Sequence, residues 1–373
     1  MTRFAYVLAS LVFLGLVGAK YNPRTGFTSL IRFGESWQMK RLHILENLPI
    51  AMAVPESGGY DGQFYAQIAI DPLLRSPDLA EAIDIPAYRA RRILLPATAA
   101  LIGHGSPWWT LQAYALLNVV CWIALAWLLR TWIGGTDWIS FARWSGVMFS
   151  MGVLESVRQS LVDLPALLLL TLAIRAHTPA KANRSVIWLT LGNLTKETSL
   201  IGGLALNATD LFHRGRRLRT ILTVALCVAP LGFWWLYVNH RFPADQASGG
   251  LGNFAWPFFG LFSEAKICLE ALSQGNFDGR FSFGLMAIIG LLAQSLALWL
   301  RRDSKSPWWR VGAAYALLLP FLGLWVWSGY WAACRALLPL TVAFNLLLPA
   351  NRAFWPLWIV GNLTLLHALW RFL

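Results

Sequence analysis

The segment Leu285–Leu300 reads LMAIIGLLAQSLALWL, sixteen residues without a charge, and it decides the fold class of this 373-residue chain. A second run, ALLLLTLAI at Ala166–Ile174, is also unbroken. Strands of a membrane β-barrel alternate in polarity, whereas these runs do not, so both predict apolar helices. Because one crossing takes about 20 apolar residues, the chain has room for roughly ten crossings. We therefore predict an all-α polytopic membrane protein.

The composition excludes a water-soluble enzyme, since 57% of the residues are apolar and only 13% are charged, against about 45–50% and about 25% in soluble domains. Lysine and arginine number 31 against 18 acids, which gives a net charge of +13. In a membrane protein this excess is typical of cytoplasmic loops beside anionic lipid, so we expect membrane lipids and no nucleic acid as partners. The four cysteines include no CxxC pair, which argues against a zinc site or a disulfide framework.

The distribution of basic residues predicts the topology. The N-terminal run Phe4–Ala19 is interpreted as a first span that starts inside, rather than as a cleaved signal peptide. About eleven transmembrane helices then satisfy the charge pattern, with residues 1–373 as a single membrane domain. The positive-inside rule assigns to the cytoplasm three basic clusters: Arg175, Lys181 and Arg184; Arg214, Arg216, Arg217 and Arg219; Arg301, Arg302, Lys305 and Arg310.

Two long loops on the opposite side follow from this topology. Residues 20–92 hold eight of the 18 acids and are predicted to carry interfacial helices, such as an amphipathic one at Phe64–Ile70. Residues 240–282 form the second loop. Ile93–Gly103 is too short to cross the membrane, and we expect it to break before a full span at Trp108–Leu129.

The sharpest local motif is GGYDGQFY at Gly58–Tyr65. Its glycines let the backbone approach a ligand closely, and Tyr60 and Tyr65 add hydrogen-bonding rings beside Asp61. A carboxylate near apolar walls is expected to have a raised pKa and to act as a general base on an acceptor hydroxyl. The alternative is structural: Asp61 is the N-cap of an interfacial helix.

The same loop ends in YRARR, Tyr88 to Arg92. Arg89, Arg91 and Arg92 are suited to clamp a phosphate or pyrophosphate, because a guanidinium donates in a rigid fork and stays charged. The alternative is that these side chains snorkel to lipid headgroups. The two interpretations remain open from the sequence alone.

Further charged residues interrupt apolar segments and predict two helical hairpins with polar tips. Lys196 and Glu197 lie at one tip, within Asn193–Ser199, and the segment Leu154–Asp163 forms the other. Ionisable residues at membrane depth are costly, so each marks a functional site or an internal ion pair. The same two interpretations apply to the remaining charged residues of this kind: Glu155, Arg158, Asp163 and Arg335.

The absence of three sequence motifs narrows the range of possible functions. The chain has no GxxxxGK[ST] loop, no DxD and no HExxH. These absences disfavour ATP-driven transport by this chain alone, a metal-assisted transferase that uses sugar nucleotides, and a zinc hydrolase.

Three motifs together resemble a known family. YDGQFY at Tyr60–Tyr65, YRARRILLP at Tyr88–Pro96 and LTKET at Leu194–Thr198, behind a short first span and a long outer loop, resemble the bacterial membrane glycosyltransferases of the GT-C superfamily. The overall plan covers nearly the whole chain. The resemblance implies a GT-C-like bundle of about eleven transmembrane helices in the bacterial inner membrane, with a long first periplasmic loop and a periplasmic active face.

The resemblance also implies the chemistry: a sugar moves, with inversion, from a polyprenyl-phosphate donor to a glycan, lipid or protein acceptor. Asp61 would be the catalytic base. No second acid stands beside it, so a divalent metal requirement is left open and no metal ligand is assigned. The residues expected to bind substrate are Tyr60, Gln63, Tyr65, Tyr88, Arg89, Arg91, Arg92, Glu155, Arg158, Lys196, Glu197 and Arg335.

Two other classes remain as alternatives. A transporter or flippase of a lipid-linked saccharide or other anion would use the same arginines to bind its cargo, and it predicts broken spans in two matched halves. In a non-catalytic scaffold, the polar tips would not need to converge. A transferase instead requires Asp61, the arginines and Lys196 to surround one cavity.

Overall fold

The computed structural model describes residues 2–53, 57–178, 181–242 and 250–373. Glu56 of the first loop and residues 243–249 of the second lie outside the described residues. Within these ranges the chain forms no named strand, and its α-helices are α1 (Thr2–Gly18), α2 (Gly62–Ile70), α3 (Pro86–Ala90), α4 (Leu94–Gly103), α5 (Pro107–Ile133), α6 (Trp138–Met148), α7 (Met151–Arg158), α8 (Asp163–Ala176), α9 (Ala182–Thr195), α10 (Ser199–Leu211), α11 (Arg217–Arg241), α12 (Phe259–Ser273), α13 (Gly279–Leu300), α14 (Pro307–Leu318), α15 (Leu324–Ser328), α16 (Tyr330–Ala336), α17 (Leu338–Leu347), α18 (Phe354–Gly361) and α19 (Leu365–Phe372).

The predicted all-helical fold is confirmed for the described residues and is consistent with a membrane protein, but fewer than eleven of the described helices are long and apolar enough to span a membrane. Helices α5, α11 and α13 are long and apolar enough to cross a membrane, and α16 with α17 forms a fourth candidate if the pair counts as one span. Other apolar runs are shorter, such as α1 with 17 residues and α8 with 14. Their helices end where polar or glycine-rich segments interrupt the apolar pattern.

Prolines explain two of the breaks. The α16–α17 pair bends by 65°, and Pro339 has no N–H to donate to the carbonyl of Arg335 one turn earlier. Pro165 likewise leaves the carbonyl of Leu161 without its helical donor. The side chain of Asn118 donates to that carbonyl at 2.9 Å, which satisfies the freed acceptor.

The predicted break after Ile93–Gly103 is confirmed. Helix α4 ends at Gly103, and His104 follows with a left-handed φ of 47°. Ser106 then caps α5 by accepting a hydrogen bond from the Trp109 backbone N–H. Helices also break at both predicted hairpin tips, since α7 and α8 are separated by 159–162 and α9 and α10 by 196–198, although α7 continues through Arg158 into the predicted tip Leu154–Asp163.

Helix α5 spans about 40 Å and separates two ends of the molecule. At its C-terminal end, Arg175 donates to Thr131 at 2.8 Å, and the Trp132 and Trp308 rings are 5.8 Å apart. Near its N-terminal end, Tyr114 donates to the carbonyl of Ser160 at 2.8 Å. One hairpin tip therefore lies at the end of α5 away from the basic connections.

Helix α2 corrects the prediction for Phe64–Ile70. The helix is present, but the amphipathic interfacial placement is wrong because every residue from Gly62 to Ala69 is buried. Its two glutamines are satisfied inside the protein: Gln63 accepts from the Gly34 backbone N–H at 2.9 Å, and Gln67 donates to the Ala82 carbonyl at 2.7 Å. Helix α2 therefore packs in the core despite its two glutamines, since both side chains form hydrogen bonds inside the protein.

Candidate functional site

Asp61 occupies the N-cap position of α2, but its side chain does not cap the helix. Its Oδ1 instead accepts a hydrogen bond from Nη2 of Arg89 at 2.9 Å. The same guanidinium donates to Asp84, from Nε at 2.9 Å and from Nη2 at 2.7 Å. Arg89 is therefore held between two carboxylates, and the structural alternative of an N-cap does not account for the Asp61 side chain.

The charge state of Asp61 differs from the expectation. Burial raises the pKa of the carboxyl, but the guanidinium groups of Arg89 and Arg335 outweigh this effect, so the pKa lies below its ordinary value. The predicted raised pKa is wrong because a neighbouring cation opposes desolvation. Oδ2 accepts no hydrogen bond from any described residue, and the side chain is 29% exposed. Asp61 is thus an ionised carboxylate with one oxygen open to a ligand.

Arg92 joins the first loop to the second hairpin tip. Its Nε lies 2.9 Å from Oε2 of Glu197, and its two terminal nitrogens donate to the hydroxyls of Tyr65 and Tyr88 at 2.5 Å each. Glu197 also has a pKa below its ordinary value, since the charge of Arg92 outweighs the effect of burial. The tyrosines predicted to bind substrate are here partners of an arginine.

The three arginines do not form one clamp. Arg91 stacks on the ring of Trp235, with its guanidinium carbon 4.5 Å from the ring centroid. Arg89 binds Asp61 and Asp84, whereas Arg92 binds Glu197. The charges of Arg89 and Arg92 are therefore largely neutralised by their carboxylate partners. Other residues would have to supply the positive charge that binds a phosphate.

Asp163 supplies the centre of a second group. It forms ion pairs with Lys196 and, at 3.1 Å, with Arg335. Arg335 also donates to the hydroxyl of Tyr60 at 2.9 Å, and Trp331 donates to the same hydroxyl at 2.7 Å. Two cations share a single carboxylate, so this group, which we call the Asp163 site, carries one excess positive charge.

The Asp163 site lies at a small cleft. Asp163, Lys196 and Arg335 lie at its charged part. The remaining wall is mostly apolar and includes Ala166, Leu167, Leu170, Tyr315, Leu338 and Pro339. A charged end on an apolar cleft suits a molecule with an anionic head and an apolar chain.

The structure brings most of the predicted residues together. Asp61 and Tyr60 are adjacent in the chain, and Tyr60 contacts Arg335, which links the Asp61 and Asp163 groups. Lys196 and Glu197 are neighbours but bind different partners, Asp163 and Arg92. Both hairpin tips therefore converge on the first loop. A non-catalytic scaffold does not require this convergence.

Three predicted substrate residues have other surroundings. Gln63 bridges backbone groups, accepting from Gly34 and donating to the Gly58 carbonyl at 2.8 Å. Glu155 is buried and binds Arg371 at 2.5 Å and Arg158 at 3.4 Å. Gln63 is therefore a structural residue, and Glu155 and Arg158 belong to a separate cluster.

The glycines of the motif serve protein packing. A Cβ on Gly62 would lie 2.1 Å from the carbonyl oxygen of Gln159, and one on Gly59 would lie 2.4 Å from the backbone nitrogen of Gly34. Gly59 also has a left-handed φ of 70°. These two positions need glycine for the approach of backbone to backbone, rather than for the approach of a ligand as predicted.

Sequence reasoning missed Asp84, Trp331 and Arg371 and did not assign Asp163 to the site. Asp84 stands five residues before Arg89, and Asp163 begins an apolar helix, which are the only sequence signals for either. Within the described ranges, no three His, Cys, Asp or Glu side chains lie close enough to hold a metal ion. Asp61 and Asp84 both bind Arg89, so these residues do not fit a protein-bound metal there.

Comparison with known proteins identifies no relative. No family model, curated protein or solved structure matches the chain.

Proposed function

We propose that this chain is an integral-membrane glycosyltransferase. It moves a sugar from a polyprenyl-phosphate donor to a glycan, lipid or protein acceptor on the periplasmic face of a bacterial inner membrane, with inversion. The observation that carries the proposal is the pairing of Lys196 and Arg335 around Asp163 at the charged end of an apolar cleft. A polyprenyl phosphate has the matching chemistry, an anionic head on an apolar chain.

The cations of the Asp163 site stabilise the leaving group. As the bond between the anomeric carbon and the phosphate oxygen breaks, that oxygen keeps the electron pair and gains negative charge. Lys196 and Arg335 outnumber their one carboxylate partner, so they retain charge for the phosphate. Stabilisation of charge that develops in the transition state is the largest contribution that such groups make to catalysis.

Asp61 acts as the general base. Its Oδ2 accepts the proton of the acceptor hydroxyl while the hydroxyl oxygen attacks the anomeric carbon from the face opposite the phosphate. The lowered pKa of Asp61 keeps the carboxylate ionised at neutral pH. Arg89 holds the other oxygen at 2.9 Å and so orients the carboxylate.

Purified wild-type protein and the Asp61→Asn variant test this proposal. Each is incubated with a panel of radiolabelled polyprenyl-phosphate sugars and a membrane extract that supplies acceptors. We expect transfer from one donor by the wild type and a rate at least about 100-fold lower for the variant, since a general base contributes that much.

Asp84→Asn is the matched control, because it removes the negative charge of the other carboxylate that binds the guanidinium of Arg89. We expect it to lower the rate far less than Asp61→Asn. A folded Asp61→Asn protein with full activity would rule out the assigned base, and absence of transfer from every donor would count against the transferase.

A transporter or flippase has one observation in its favour, the 65° bend beside Arg335. Such proteins carry broken helices in two matched halves, and the described residues contain one bent pair. Proteoliposomes with wild-type protein, a fluorescent lipid-linked saccharide and no acceptor test this alternative. Rapid movement of the lipid between leaflets would support the flippase in place of the transferase.

A further inference from the structure

A second basic group lies apart from the Asp163 site. Arg158 and Arg371 bind the buried carboxylate of Glu155 at 3.4 and 2.5 Å. Arg32 and Lys20 lie nearby, close enough for their charges to interact with that of Arg158. We call these four cations and Glu155 the Glu155 cluster. Its cations outnumber its one internal carboxylate by three.

Arg32 interacts with the charge of Glu155 but makes no direct contact with a carboxylate of the described residues. Within the described part of the chain its guanidinium donates no hydrogen bond and forms no ion pair. Burial lowers the pKa of Arg32, and repulsion from Arg158 and Arg371 lowers it further, with Glu155 opposing them. Lys20 also has a lowered pKa, because of burial and then because of Arg158 and Arg32. Cations held together in this way are stabilised by an anion between them.

The backbone of Arg32 is also held in a strained conformation. Its φ is 62°, in the left-handed region that residues with a Cβ rarely adopt. The Tyr60 backbone N–H donates to the carbonyl of Arg32 at 3.0 Å, which ties this conformation to the motif that contains Asp61. Strained backbone concentrates at binding sites, and here it fixes the start of a side chain that forms no hydrogen bond or ion pair with the described residues.

The cluster is accessible and adjoins the first site. The side chains of Arg158 and Arg371 are 21% and 22% exposed. The guanidinium carbon of Arg371 lies 4.7 Å from the ring centroid of Trp331, and Trp331 donates to Tyr60 of the Asp163 site. The two basic groups therefore lie on either side of one Trp–Tyr pair.

We propose that Lys20, Arg32, Arg158 and Arg371 form a second phosphate-binding site. Arginine forks match the oxygens of a phosphate, and four cations of this kind exceed what Glu155 neutralises. The ligand is a phosphate ester, supplied by a lipid headgroup or by a soluble molecule. This binding does not depend on whether the chain transfers a sugar.

Isothermal titration of the full chain in a maltoside detergent, which carries no phosphate, tests the site. The probes are inorganic pyrophosphate and dihexanoyl phosphatidic acid. The variant Arg32→Asn removes the charge and keeps a residue that tolerates positive φ. We expect it to weaken binding of at least one probe about tenfold or more, since charge-assisted hydrogen bonds are lost.

Arg24→Asn is the matched control, because Arg24 is an exposed arginine of the same loop. We expect it to bind both probes as the wild type does. Lys20→Gln is a second variant of the cluster, expected to weaken binding if Arg32→Asn does not fold. Lys196→Gln affects the Asp163 site alone, so its loss of affinity should add to that of Arg32→Asn.

The two probes identify the source of the phosphate. If the wild type binds phosphatidic acid more tightly and Arg32→Asn loses this binding, the site is supported and its ligand is a lipid headgroup. Preference for pyrophosphate that Arg32→Asn abolishes would support it and indicate a soluble ester. Wild-type affinity of folded Arg32→Asn and Lys20→Gln for both probes, or no binding by the wild type, would overturn the proposal.

Discussion

Arg89 determines how Asp61 can function. A buried carboxylate alone would resist ionisation, but the guanidinium 2.9 Å away lowers its pKa. The base proposed for this chain is thus charged at neutral pH but less basic than an ordinary aspartate. Asp84 shares the guanidinium and fixes its orientation from the other side.

Arg89→Gln is expected to shift the pH dependence of transfer. Without the guanidinium, the pKa of Asp61 rises, because burial raises it and the largest opposing charge is gone. A general base works only when deprotonated, so the acidic limb of kcat/KM should move to higher pH. The measurement is a pH profile of kcat/KM for the wild type and the variant.

Arg75→Gln provides the control, because Arg75 is exposed in the same loop. Its acidic limb should coincide with that of the wild type. An Arg89→Gln limb at the wild-type position would show that Arg89 does not set the ionisation of Asp61.

Residue types at the site were predictable from sequence, whereas their partners were not. The GGYDGQFY motif indicated Asp61 and the YRARR motif indicated Arg92, whereas Lys196 was indicated because charged residues at membrane depth are uncommon. One partner of Arg335 is Tyr60, 275 positions away, and Lys196 binds Asp163, 33 positions away. Such pairings depend on the packing of helices, which local patterns do not specify.

At the scale of elements, α2 begins with a close backbone contact at its first residue. The carbonyl of Gln159, beyond the end of α7, occupies the space where a Cβ on Gly62 would lie. Gly62 therefore docks the Asp61 segment against the first hairpin tip. The helix could be predicted from sequence, but its burial could not, because its glutamines resemble surface residues.

Gly62→Ala is expected to destabilise the protein by about 1–3 kcal/mol, since backbone must move to relieve a 2.1 Å contact. Gly58→Ala is the matched control in the same motif. Its nearest contact would be Ser36 at 3.7 Å, an ordinary distance, so a change within about 0.5 kcal/mol is expected. Thermal unfolding of the purified variants measures both.

The Gly62→Ala and Gly58→Ala variants also distinguish a packing role of each glycine from a role in ligand contact. Loss of transfer in Gly58→Ala at unchanged stability would indicate that this glycine admits a ligand. Equal stability of Gly62→Ala and wild type would contradict the packing role.

At the scale of the whole molecule, the basic connections and the polar tips lie at opposite ends. Arg310 contacts the carbonyls of Ala205 and Leu206 at 3.3 and 3.2 Å, which joins the α14 start to the α10 end. At the other end, Lys20 donates to the carbonyl of Leu373 at 2.7 Å. This separation agrees with the charge pattern that predicts the topology.

Single-cysteine labelling tests the two faces. In spheroplasts, a membrane-impermeant maleimide should label Arg24→Cys and should label Arg302→Cys only after permeabilisation. Both positions are exposed, whereas three of the four native cysteines are buried and Cys121 is half-buried. Wild-type protein controls for background labelling. Labelling of Arg302→Cys without permeabilisation would contradict the predicted orientation.

The sequence by itself determined the helical class, the break after Gly103, and the separation of basic connections from polar tips. These features follow from local composition, because hydrophobicity, backbone freedom and charge act over a few residues. Only the tertiary structure decided that α2 is buried, that Arg89 is held by two carboxylates, and that Asp163 gathers Lys196 and Arg335. Ionisation and ligand-binding charge depend on neighbours within a few ångströms, and in this chain those neighbours come from distant segments.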